Sequence, residues 1–139
     1  MRQAYRLLAN LIALTVVVQV ASIALGWFMV INDTDDGKVF AGEDDLNVGH
    51  MIHSIGAIVI ALLALALLIV SFFAHVDGGV KWAGLVLLAV VVQWVLAILA
   101  FSFPIIGALH GINALVVAGL ASVAARRSLT STPSEPVAA

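Results

Sequence analysis

The stretch His53-Ser-Ile-Gly-Ala-Ile-Val-Ile-Ala-Leu-Leu-Ala64 returns later in the chain as His110-Gly-Ile-Asn-Ala-Leu-Val-Val-Ala-Gly-Leu-Ala121. Seven of the twelve positions are identical. Apolar matches carry little weight in so hydrophobic a chain, but one His falling on another does. Upstream, Val16-Val17-Val18-Gln19 is matched by Val90-Val91-Val92-Gln93, so two Gln residues pair as well. Gln19 lies 34 residues before His53, and Gln93 lies 17 before His110. The difference is about the length of an acidic insertion in the first half. Such a repeat, sought before any single motif, describes two helical hairpins in the same orientation. A pseudo-two-fold axis along a membrane normal would relate them.

The repeat sits inside runs that contain no Asp, Glu, Lys or Arg: residues 7–31, 48–74, 82–103 and 105–125. Each is 21 to 27 residues long, and about 20 apolar residues suffice to cross a bilayer as a helix. Lipid offers no hydrogen bonds, so unbroken runs of this length must be helices. The predicted fold is an all-α membrane protein, a four-helix up-down bundle. Composition agrees. The 139 residues are 63% hydrophobic and 10% charged, with mean hydropathy +1.18, whereas soluble domains are about 45–50% apolar and about 25% charged. A soluble enzyme and a disordered chain are excluded. A net charge of −2 leaves no basic footprint for nucleic acid. The absence of Cys excludes disulfides, iron–sulfur clusters and thiolate metal sites. The first run follows Arg2 and Arg6 but exceeds a signal-peptide core of about 7–15 residues. It is therefore read as a retained helix.

Arg2, Arg6, Lys81, Arg126 and Arg127 fall on one side of this topology and only Lys38 on the other. Positive charge marks the cytoplasmic side, so both termini are expected in the cytoplasm. The outer loop, residues 32–47, then carries Asp33, Asp35, Asp36, Glu43, Asp44 and Asp45. Its Asp33–Gly37 stretch departs from calcium-loop spacing, with Gly one place early and Asp44 where Glu belongs, and reads as a solvated loop. Tyr5, Trp82, Trp27 and Phe103 occupy interfacial positions. Residues 128–139, rich in Ser, Thr and Pro, read as a disordered tail.

The polar residues of the repeat point to chemistry. His53 and His110 share one depth near the outer face, on helices that are diagonal neighbours in such a bundle. Ionisable groups within spans are costly and by default functional. Two imidazoles converging on the bundle axis suit a group ligated from both sides, best met by haem b with two axial His ligands. Gly56, Ala57, Gly107, Gly111 and Ala114 surround them with small side chains, leaving room for a flat macrocycle, or for close helix packing alone. Asn113 either orients His110 or pairs with a backbone carbonyl. His50, one turn before His53, can bind a haem propionate, act as an alternative ligand or sit at the wet interface. Gln19 and Gln93 read as interhelical hydrogen-bonding residues in preference to bordering a cofactor or polar path, Trp94 as lipid- or core-facing in preference to packing on the cofactor, and His75 as a solvated loop residue.

Ala108-Leu-His-Gly-Ile-Asn-Ala-Leu, Gly79-Val-Lys-Trp and the Val-Val-Val-Gln repeats resemble small bacterial four-span membrane proteins of unassigned function. The pattern is also similar to b-type membrane cytochromes and to one half of haem A synthase, where a four-helix unit holds haem between two His. That enzyme's His-Arg motif is not matched, since Ser54 follows His53 and Gly111 follows His110. The resemblance therefore implies haem binding, not haem modification, in a bacterial inner membrane.

Three functions follow from these readings. The first is a bis-His haem protein for electron transfer or haem holding, with a quinone or a redox protein as partner. The second is a Zn or Cu site built from His50, His53 and His110. The third is a cofactor-free subunit of a membrane complex. No nucleophile–base pair, phosphate loop or paired carboxylate lies within the spans, so catalysis by side chains is not expected. The lipid bilayer is the obligatory partner, and small-residue surfaces leave room for a homo-oligomer.

Overall fold

The computed structural model describes residues 1–40 and 46–130. Within them are four helices and no strand: α1 Arg2–Asp35, α2 Val48–Ser71, α3 Gly79–Ala100 and α4 Ile106–Thr130. All four are long and apolar enough to cross a membrane. Each packs against two others, α1 on α2 and α4, α3 on α4 and α2, which leaves α2 facing α4 along a diagonal.

The packing face of α1 is Tyr5, Ala9, Ile12, Val16, Gln19, Ser22 and Gly26. Steps of three and four residues place these on one stripe, the spacing of a left-handed bundle. Ala9, Ser22 and Gly26 of the stripe are small, and so are Ala64, Ala83, Ala121 and Ala124 on the other helices, all four fully buried. Large apolar residues instead point outward, with Phe28 71% and Leu115 68% exposed. That inversion of a soluble core is expected where lipid takes the place of water and helices associate by close contact.

The tightest contact joins α1 to α2. A side chain on Gly49 would run into the backbone of Gly26 and Ser22. Asn47 locks this crossing. Its Nδ2 donates to the Gly26 carbonyl at 2.8 Å, and its Oδ1 accepts from the Gly49 and His50 amides at 3.0 and 3.3 Å, capping α2. At the opposite end the Tyr5 hydroxyl donates to the Gly79 carbonyl at 3.0 Å. Tyr5 is thus fully buried, not an interfacial anchor.

The helix ends depart from the uncharged runs because charge does not end a helix, whereas backbone geometry does. α1 runs on through Asn32–Asp35 and stops at Gly37, whose φ is +86°. α2 ends at Ser71, and His75 then turns the chain with φ +49°. α3 ends at Ala100, before Pro104, which disfavours helix in the residue preceding it. α4 continues through Arg126, Arg127 and Ser128 to Thr130, so 128–130 are helical and do not belong to a disordered tail. Glu43, Asp44, Asp45 and residues 131–139 lie outside the described residues.

Candidate functional site

The two repeated His residues meet. Their ring centroids are 6.3 Å apart and the rings are inclined by 56°. His53 comes from the first two turns of α2 and His110 from those of α4. Each is half-buried and held by its own hairpin. The Nδ1 of His53 donates to the Gln19 carbonyl at 3.1 Å, and that of His110 to the Gln93 carbonyl, also at 3.1 Å. Backbone carbonyls only accept, so in both rings Nδ1 carries the proton. Nε2 is left with its lone pair, the form in which His binds a metal. The two rings are close enough that one group lying between them could touch both.

The rings open onto a partly open cavity of about 120 Å³, smaller than the roughly 300 Å³ at which small-molecule sites begin. Its walls repeat the sequence symmetry. Val16 pairs with Val90, Gln19 with Gln93, Val20 with Trp94, Ala57 with Ala114 and Ile60 with Val117. The polar side chains among the lining residues are the two His, the two Gln and the Trp94 indole, and the remaining wall is aliphatic. Gly111 also lines the space, and a Cβ added to it would meet no atom within 4 Å.

The Gln amides are both structural and adjacent to the cavity. Gln93 Nε2 donates to the His110 carbonyl at 2.9 Å, and Gln19 Nε2 to the Ile52 carbonyl at 3.4 Å. Asn113 does not reach the His110 ring. Its Nδ2 donates to Gln93 Oε1 at 2.7 Å and to the Ala89 carbonyl at 2.9 Å, so it steadies Gln93 from outside the cavity. At the equivalent place in the first hairpin stands Gly56, and the Gln19 amide lies directly against it. Gly56 therefore makes room for a side chain and is not part of the cavity wall. Gly107 faces Ala100 across the α3–α4 turn and also lies off the wall.

His50 turns toward α1. Its ring meets Trp27 edge-on at 5.4 Å, and its buried Nδ1 has no hydrogen-bond partner among the described residues. No three His, Asp or Glu side chains among the described residues gather to hold a metal ion, so His50, His53 and His110 do not form a three-ligand set. His75 is exposed, with Nδ1 3.1 Å from the Phe73 carbonyl.

Of the residues predicted from sequence, the structure brings His53, His110, Ala57, Ala114 and Gly111 to the cavity and leaves Gly56, Gly107, Asn113 and His50 outside it. Val16, Val90, Ile60 and Val117 line it without having been named as site residues, and Trp94, read from sequence as lipid- or core-facing, lines it as well. A signal for the four aliphatic residues existed. They fall three residues before each Gln and seven after each His, the helical spacing of one face.

Comparison with known proteins gave no match: no protein-family model, no curated protein and no solved structure is significantly similar to the chain.

Proposed function

We propose that this is an integral membrane haem b-binding protein of cytochrome type, with His53 and His110 as axial ligands. The observation that carries the reading is the matched pair of rings, 6.3 Å apart, each with Nδ1 committed to a Gln carbonyl. Haem brings four nitrogen ligands of its own, so two protein donors complete the iron. A structural zinc site needs four donors and a catalytic one three. Cu(I) prefers thiolate or thioether sulfur, and the chain has no Cys. The aliphatic cavity walls suit a macrocycle and not a hydrated ion.

When bound in this way, haem supplies a one-electron iron couple with no open coordination position. The residues then have plain tasks. The Gln carbonyls hold each imidazole in one tautomer and orientation. Ala57, Ala114 and Gly111 keep the space beside the rings open. The aliphatic wall excludes water. Electron transfer or haem holding follows, with a quinone or a redox protein as partner. Five of the six Lys and Arg residues belong to the end of the bundle that holds the termini, which favours a bacterial inner membrane with both termini cytoplasmic.

An absorption spectrum of the purified protein tests the reading. Protein from haem-replete cells, or titrated with hemin, should show the split visible band of low-spin, six-coordinate haem. No spectral gain on adding hemin overturns it and leaves the cofactor-free subunit. Tight binding of Zn or Cu alone, without hemin binding, overturns it in favour of a metal carrier.

A further inference from the structure

A second site lies at the other end of the bundle, where α1 and α4 diverge beside both termini. Arg6 and Asn10 stand one turn apart on α1, and Ser122 and Arg126 one turn apart on α4. Residues four apart share a helix face, and these two faces line one groove of about 440 Å³, counting its open mouth. Ala125 and Leu129 complete its wall. Two guanidinium groups thus border the same space. Neither Arg6, Arg126 nor Asn10 has a hydrogen-bond or ion-pair partner among the described residues. The other Arg residues are engaged, Arg2 with the His75 carbonyl at 3.2 Å and Arg127 over the Trp82 ring at 5.6 Å.

We infer that this groove binds the headgroup of an anionic phospholipid. Two cations sharing a groove repel each other and gain from an anion between them. A phosphodiester offers oxygens that match the guanidinium fork. The Asn10 amide is free to donate to the same group. The Ser122 hydroxyl, one turn deeper than Arg126, donates to the Ala118 carbonyl at 2.8 Å. The apolar helix surfaces on the membrane side of the groove run along the acyl chains, and Leu129 closes it toward the helix end. Basic pockets between spanning helices recognise anionic headgroups in this manner. A choline headgroup would place its own cation among the arginines and be disfavoured.

Native mass spectrometry of the full chain, released from detergent, tests the inference with dioleoyl phosphatidylglycerol, dioleoyl phosphatidylcholine and inorganic phosphate as probes. The expected result is one phosphatidylglycerol retained per chain in preference to phosphatidylcholine. Arg6→Gln/Arg126→Gln should weaken that retention by about tenfold or more, since each cation near an anionic lipid surface contributes appreciably. The charge-matched Lys81→Gln/Arg127→Gln should retain the lipid. Asn10→Leu keeps every charge and should lower retention several-fold, a readout that survives if the double Arg variant does not fold. Equal retention of the two lipids by the wild-type chain overturns the inference. So does an equal loss in the Lys81/Arg127 variant, which would mean diffuse attraction. Displacement of the lipid by millimolar inorganic phosphate also overturns it, by making a free anion the ligand.

Discussion

The imidazoles of His53 and His110 stand 6.3 Å apart although their helices, α2 and α4, share no close backbone contact. The two rings reach across the bundle diagonal, beside a cavity that all four helices line. Ring placement and cavity shape are thus one property of the packing, and they can be separated only by mutation.

Removing either ring should remove the cofactor. His53→Ala and His110→Ala are each expected to lower haem content more than about tenfold, since changes even in residues that only support a ligand cost about 10–100-fold. His50→Ala should leave haem content near wild type, because its ring packs on Trp27 away from the cavity. Pyridine haemochrome assay per mole of protein checks all three. A loss in His50→Ala equal to that in His53→Ala would revive the three-His metal site.

Filling the cavity should exclude haem without unfolding the bundle. Gly111 lines the cavity, and a side chain added there meets no atom within 4 Å at its Cβ. Gly111→Leu is expected to keep the thermal stability of the cofactor-free protein while abolishing the spectral response to hemin. Unchanged hemin binding in this variant would mean that the cavity is not where haem sits.

Asn113→Leu should act on stability first and on haem second. It leaves Gln93 Oε1 without its Asn113 donor and takes a second, side-chain donor from the Ala89 carbonyl, which keeps its bond within α3. Interhelical hydrogen bonds in membranes average about 0.6 kcal/mol and reach about 1.7 kcal/mol, and a loss in that range is expected on unfolding in detergent. Both His ligands remain, so haem is retained with lower affinity. Complete haem loss at unchanged stability would instead assign Asn113 to the cofactor directly.

Gly49→Ala should be the most damaging single-carbon change. The added carbon meets the backbone of Gly26 and Ser22, which cannot rotate away. Overpacking of this kind costs about 1–3 kcal/mol. Gly84→Ala and Gly119→Ala, where nothing stands within 4 Å, are the controls and should be near neutral. Thermal unfolding of the three variants side by side decides it.

Tyr5→Phe tests the opposite end. It removes the buried bond to the Gly79 carbonyl and should cost about 0.5–1.5 kcal/mol, with haem content unchanged. A wild-type melting temperature would show that the hydroxyl contributes nothing to holding the ends of α1 and α3 together.

Read along the chain, the amino acids by themselves determined four spans, an up-down topology and a duplicated hairpin. Each rests on local counting, namely the length of uncharged runs and the recurrence of Gln and His. They also singled out His53 and His110, since an ionisable side chain repeated inside lipid has few ordinary reasons to be there. Which face of each helix turned inward was not legible. Every face is apolar, so hydrophobic periodicity carries no contrast. Tertiary structure alone decided the partners at side-chain range. It placed Asn113 on Gln93 instead of His110, Gly56 beneath the Gln19 amide, His50 against Trp27, and Arg6 beside Arg126. These contacts cross between helices or follow from how the helices rotate. Their formation depends on a fit of a few tenths of an ångström between surfaces, which the order of residues along any one helix does not encode.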